Sequence, residues 1–266
     1  MAHYPRSISQ NNTSELFELQ VSRGQIPGHR AVTVFGYNAD VDQTMETVWP
    51  YGGLLQFPAT ALQMSVSSDN ANDTSGGTGA RTIYIEGLNA SHAVVFETVT
   101  LAGLTAVTTA NSYLHINQAY VATAGSGDSA AGSIYIGTGA VTLGVPATVY
   151  DIIQFDYNIR VTGSYTVPAG YTGYVSQGLF SSGQASGSGP VTGRLVTRGI
   201  DDIRRTAAIV TINNGSADYV FEYPVAVPEK TTLEAQAIGT GNNNACSSMF
   251  ILVLVENGYE NPPYGV

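Results

Sequence analysis

Asp73-Thr74-Ser75-Gly76-Gly77-Thr78-Gly79-Ala80-Arg81-Thr82-Ile83-Tyr84-Ile85-Glu86-Gly87 is the stretch that decides the fold. A Gly- and Ser-rich turn feeds a β-branched and aromatic run, and the run stops at a glycine. The unit returns when a second Gly-rich turn, residues 125–132, leads into Ile134-Tyr135-Ile136. Between the two lie further short runs of Val, Thr, Phe and Tyr, separated by Gly, Asn, Ser and Asp. This punctuation makes β-sheet and rigid surface. The echo hints at a structural repeat without forming a repeat array.

Working outward, Leu62, Met64 and Val66 alternate with polar residues, the period of a half-buried strand. Strands are also expected at 81–87, 94–101, 105–109, 113–120, 151–161, 191–198, 206–213, 219–223, 231–238 and 249–255. Pro168-Ala169-Gly170 reads as a turn, because proline presets φ and glycine permits a positive one. Asn213-Asn214-Gly215 ends in Asn-Gly, the strongest short hairpin signal. Trp49, followed by Pro50 and Gly52-Gly53, is placed at a strand corner facing the core. A short helical turn is expected near residues 15–19, and no long amphipathic helix anywhere. The expected class is all-β, an antiparallel β-sandwich of jelly-roll-like character. The expected division is an N-terminal arm at 1–20, a β domain at 21–149, and a β-sandwich at 150–266 ending in a short irregular tail.

Composition excludes several functions. Charged residues make up 11% of the 266, against about 25% in an average soluble protein. The net charge is −10, Lys230 is the only lysine, and Arg204-Arg205 is the only adjacent basic pair. Nucleic-acid binding needs clustered cations to displace counterions, so no such partner is expected. An anionic membrane is disfavoured on the same ground. The lone Cys246 forms no internal disulfide and reads as a small buried hydrophobe. Residues 1–20 lack an apolar signal core, and no run approaches the ~20 apolar residues of a membrane span.

Candidate chemical residues are few. His3, His29, His92 and His115 have no second ligand at metal spacing, and His29 is the one expected on an exposed turn. Asp69-Asn70-Ala71-Asn72-Asp73 is rich in oxygens and could hold calcium, but it lacks the EF-hand pattern and reads as a turn. Asp40 with Asp42, and Asp201 with Asp202, are paired carboxylates that a hydrolase would need facing across a cleft. Gly76-Gly77-Thr78-Gly79 lacks the ending of a phosphate loop and feeds a strand rather than a helix. No catalytic, cofactor or metal residue is assigned, and no cofactor is expected.

One resemblance runs along most of residues 21–256. It is carried by Asn38-Ala39-Asp40-Val41-Asp42, Glu46-Thr47-Val48-Trp49, Gly52-Gly53, Thr78-Gly79-Ala80-Arg81-Thr82, Glu86-Gly87-Leu88-Asn89-Ala90 and Glu97-Thr98-Val99-Thr100-Leu101. Val167-Pro168-Ala169-Gly170 and Pro228-Glu229-Lys230-Thr231 extend it into the second half. In these motifs the chain resembles virion structural proteins of tailed bacteriophages, especially aquatic ones. The resemblance implies a non-enzymatic place in a particle, assembled in the host cytoplasm, and carries over no catalytic residue. The place it favours is a capsid decoration or cement protein, self-associating as a homotrimer and bound to the major capsid protein. A tail, fibre or baseplate component is the alternative, with Tyr171 and Tyr174 stacking on host glycans. A β-sandwich glycan hydrolase is the third reading.

Overall fold

The computed structural model describes residues 15–184 and 189–259. His3 with the rest of residues 1–14, residues 185–188 of the Gly/Ser loop, and the tail 260–266 lie outside the described residues. A two-turn helix, α1 (Phe17–Ser22), comes first. The strands follow in chain order: β1 (His29–Val41), β2 (Glu46–Thr47), β3 (Leu62–Ser68), β4 (Ala80–Leu88), β5 (Val94–Thr100), β6 (Val107–Tyr113), β7 (His115–Ala124), β8 (Ile134–Thr142) and β9 (Val145–Ile153). The second half adds β10 (Ser164–Thr166), β11 (Tyr171–Gln184), β12 (Val191–Arg198), β13 (Arg204–Ile212), β14 (Gly215–Val227), β15 (Thr232–Gly239) and β16 (Asn244–Glu256). The all-β antiparallel class expected from the sequence is what the chain adopts.

The strands build two sandwiches. One uses both ends of the described chain, with β1-β16-β11-β14 in one sheet and β10-β15-β12-β13 in the other, β2 pairing beside β15. Its ladders are nested: β1 pairs with β16, β10 with β15, β11 with β14 and β12 with β13. Val34, Val175, Phe250 and Leu252 from the first sheet pack on Tyr165 and Leu233 from the second. The other sandwich is inserted between β2 and β10. It sets β6-β3-β8-β9 against β5-β4-β7.

The two Ile-Tyr-Ile units face each other inside this inserted sandwich. Ile83 and Ile85 come from β4, Ile134 and Ile136 from β8, and all four are fully buried in one core with Met64 and Val66. Each intervening tyrosine points outward and stays half-exposed. The sequence echo therefore marks the two facing sheets of one sandwich.

Asp73 locks the Gly-rich turns that precede those strands. It is fully buried and accepts from the backbone N–H groups of Ala80 (2.7 Å), Ala131 (2.8 Å) and Gly132 (2.9 Å) and from Ser68 Oγ (2.6 Å). Asp69 takes the N–H of Ser133 and the Tyr135 hydroxyl. Glycine is required where these carboxylates arrive: a Cβ on Gly79 would lie 2.1 Å from Asp73 Oδ1, and one on Gly132 equally close to Asp69 Oδ1.

Four expectations need correction. The division at 149/150 does not follow the sheets, because β1 and β2 pair with β16 and β15 from the other end of the chain. Local pattern names a strand and leaves its partner open. The strand expected over 151–161 stops at Ile153, and positive φ at Asp156 and Asn158 turns the chain. Leu62 is exposed, because an irregularity between Gln63 and Ser65 breaks the alternation. Asn214 does adopt positive φ, but the turn is no hairpin: β13 pairs with β12 and β14 with β11, in opposite sheets.

The seam between the sandwiches is polar. Arg160 and Asp151 form an ion pair with side chains only 4% and 1% exposed. Arg160 also donates to the carbonyls of Thr162 (2.9 Å) and Ser164 (2.8 Å) and to Ser164 Oγ (2.7 Å), while Thr162 Oγ1 donates to Asp151 (2.7 Å). Asn117 of β7 clasps Thr166 of β10 in both directions, at 2.8 and 3.0 Å. At one end of the seam, His115 lies against Phe57 and His92, with its Nδ1 buried and without a hydrogen-bond partner. Burial and the neighbouring His92 and Arg198 charges push its pKa down to about 3.

Three stability measurements follow from these contacts. Arg160→Met strands a buried carboxylate and is expected to cost about 3–5 kcal/mol in urea unfolding, with Asp151→Asn in the same range and the double variant well below their sum. Asp73→Asn replaces an acceptor by a donor facing N–H groups and is expected to cost about 1–3 kcal/mol, whereas added calcium leaves the wild-type Tm unchanged. For His115, the unfolded chain binds a proton below the ordinary value near 6.5 and the folded one only near 3. Its contribution is therefore complete above about pH 6.5 and lost as pH falls toward 3, at up to about 1.4 kcal/mol per pH unit. The stability difference between wild type and His115→Gln, followed from pH 7 to pH 4, should shift in that direction.

Candidate interaction surface

The residues weighed for chemistry are mostly committed to the scaffold. The oxygens of residues 69–73 hold backbone and hydroxyl groups, which is the turn role. Asp42 accepts from the N–H of Asn243, and Asp40 lies at the bulge of β1, where its N–H donates to Asn38 Oδ1. Asp201 pairs with Arg205 and Asp202 with Arg198 on the exposed β12–β13 turn, and those arginines hold both carboxyls below their ordinary values. Cys246 is buried and its thiol is pushed up to about 12, chiefly by burial. Trp49 lies in the core with Leu55, Val149 and Ile152, and its indole donates to the Gly53 carbonyl at 2.9 Å. His29 is half-buried between Phe17 and Tyr259 rather than exposed. Tyr171 packs against the core beside Val175, and Tyr174 is half-buried. Gly76 to Gly79 lead into β4. Among the described residues no cluster of three His, Cys, Asp or Glu side chains could hold a metal ion.

Glu234 shows how fully buried polar groups are used. It accepts from Thr47 Oγ1 at 2.5 Å and Gln236 Nε2 at 2.9 Å, and Arg194 grips the same Gln236. Arg204 approaches its second oxygen at 3.9 Å. These contacts tie β2 and β13 into the sheet of β15.

One side of the first sandwich is open to a partner. β13 and β14 are the edge strands of facing sheets, joined by Asn213-Asn214, and they do not pair with one another. The sandwich is left open there as an apolar groove of about 60 Å³, with Leu195, Ile209, Tyr219, Phe221 and Phe250 among its walls. Exposed apolar side chains gather on these strands and the turn before them: Ile200 (83% exposed), Ile203, Ile209, Tyr219, Val220 (74%) and Tyr223 (83%). Soluble monomers rarely concentrate apolar exposure in this way. The opposite side of the sandwich is covered by the inserted one, where Arg30 of β1 pairs with Glu86 at 2.9 Å and Asn117 holds Thr166.

Sequence reading missed this surface, because both strands read as ordinary members of a hairpin. A signal was present. Ala207-Ala208-Ile209-Val210 and Tyr219-Val220-Phe221 are continuous apolar runs without polar alternation, in strands with one unpaired edge.

No family model and no curated protein matches the chain. Among solved structures it is similar to that of infectious bursal disease virus Gx strain, at 12% identity over 86% of this chain and 72% of that one, with a TM-score of 0.23. The Gt strain structure of the same virus aligns at 12% identity over 92% and 79%, with a TM-score of 0.22. A subviral particle of its VP2 protein aligns at 9% over 86% and 73%, with a TM-score of 0.21. At TM-scores this low the likeness carries no argument.

Proposed function

We propose that this chain is a non-enzymatic structural component of a virus particle, acting through contact surfaces alone. The observation that carries the reading is the nested pairing of the first sandwich. Eight strands pair first with last and inward to the central pair, as if one long hairpin were rolled across two sheets. That is jelly-roll wiring, which recurs in viral capsid and lectin domains. Fold alone does not assign function, so the site chemistry must agree. Here the buried carboxylates Asp73, Asp151 and Glu234 hold the scaffold, and an apolar edge is left exposed. The motif resemblance to virion proteins of tailed bacteriophages points the same way.

Within a particle, the favoured place is a capsid decoration or cement protein that binds the outer shell as an oligomer. Binding to the assembled shell alone stabilises that state by mass action. A rigid double sandwich tied by a buried polar seam suits that role, since little order has to be gained on docking. The test is copy number and position in purified particles. Decoration predicts many copies on isolated heads and a lower head-disruption temperature when the protein is removed. A few copies confined to the tail would transfer the assignment to a tail component, and absence from particles would end the structural reading.

A further inference from the structure

We propose that the open side of the first sandwich is where two copies of this chain join, β13 of each against β14 of the other. This deepens the reading as a particle component by naming the partner of its apolar edge. The first argument is symmetry. Both free edges lie on one side, and the tight turn at Asn213-Asn214 makes β13 and β14 run in opposite directions. A two-fold axis parallel to the strands keeps strand direction while exchanging the two sheets. It therefore brings β13 beside the partner copy's β14 antiparallel, and does so twice. Each sheet continues into the facing sheet of the other molecule, and both open edges close in one step.

Charge agrees with that operation. β13 carries Arg204 and Arg205 and no carboxylate, while β14 carries Asp218 and Glu222 and no cation. The exchanged pairing sets the strand that carries arginines beside the strand that carries carboxylates. Arg205 also meets Asp201 within its own chain, an exposed contact of small value. Register agrees as well. β14 pairs regularly with β11 up to Val220, and then residues 221–224 bulge before pairing resumes at Val225. The bulge ends the regular edge and turns Tyr223 outward.

Area provides the third argument. The side chains of Ile200, Ile203, Ile209, Tyr219, Val220 and Tyr223 are each about half to four-fifths exposed. With the tyrosines burying on the order of 150–250 Å² apiece when covered and the aliphatic side chains less, the six present several hundred Å², a large part of the roughly 800 Å² that one partner gives to a stable interface. The groove between the edges would then be roofed by the partner's β13 and β14.

The experiment is the mass of the purified full chain in solution by light scattering, over a concentration series. Wild type is expected as a dimer. Val220→Lys and Tyr223→Lys alter exposed side chains and are expected to raise the dimer Kd at least tenfold with an unchanged Tm of the monomer. Leu143→Lys, at an exposed turn outside the edge, should leave the dimer intact. Reversing the exposed charges, with Arg205→Glu combined with Glu222→Arg, should restore association that the arginine change alone weakens. A monomeric wild type, or an assembly of any order indifferent to Val220→Lys and Tyr223→Lys, overturns the proposal. Such a monomer still found in particles would sink this pairing and leave the particle role standing, while a dimer absent from particles would do the reverse.

Discussion

The structure depends on one buried ion pair. Arg160 and Asp151 sit where the inserted sandwich returns the chain to the first one, almost wholly out of water. Removing two charges from water costs several kcal/mol per ion, and attraction alone rarely offsets it. Here additional donors and acceptors do: Thr162 on the aspartate, and two carbonyls and a hydroxyl on the arginine. The pair is directional, and it joins the last strand of the insert to the segment that leads into β10.

That constraint shapes what the molecule can offer. With the insert set against one lateral side of the first sandwich, the β13–β14 side is left open. The same economy runs through the loops. Oxygen-rich turns that resemble ligand sites are closed circuits, in which Asp73 satisfies four donors at once. Polar groups are taken up in the scaffold, while the exposed edge is apolar.

Much of this was legible in the residues. The Ile-Tyr-Ile units, the Pro168-Ala169-Gly170 turn and the low charge give an all-β chain of rigid surface, because side-chain period and turn chemistry are local properties. The buried places of Trp49 and Cys246 were legible too, the first as a large aromatic at a strand corner and the second from the apolar run that follows it. The turn at Asn214 was legible as a turn, from the tolerance of asparagine for positive φ.

What only the tertiary structure decided is partnership. Whether β13 and β14 pair as a hairpin or part into two sheets depends on what β12 and β11 offer each of them, and those ladders win over the turn that joins the strands. Whether β1 belongs with its neighbours or with β16 is decided by a ladder that spans nearly the whole chain. Arg160 reads as one of nine scattered arginines until the fold brings Asp151, Thr162 and Ser164 around it. Local sequence sets what each segment can become. Hydrogen-bond pairing and desolvation act between segments, and they alone determine which edges are closed and which one remains open.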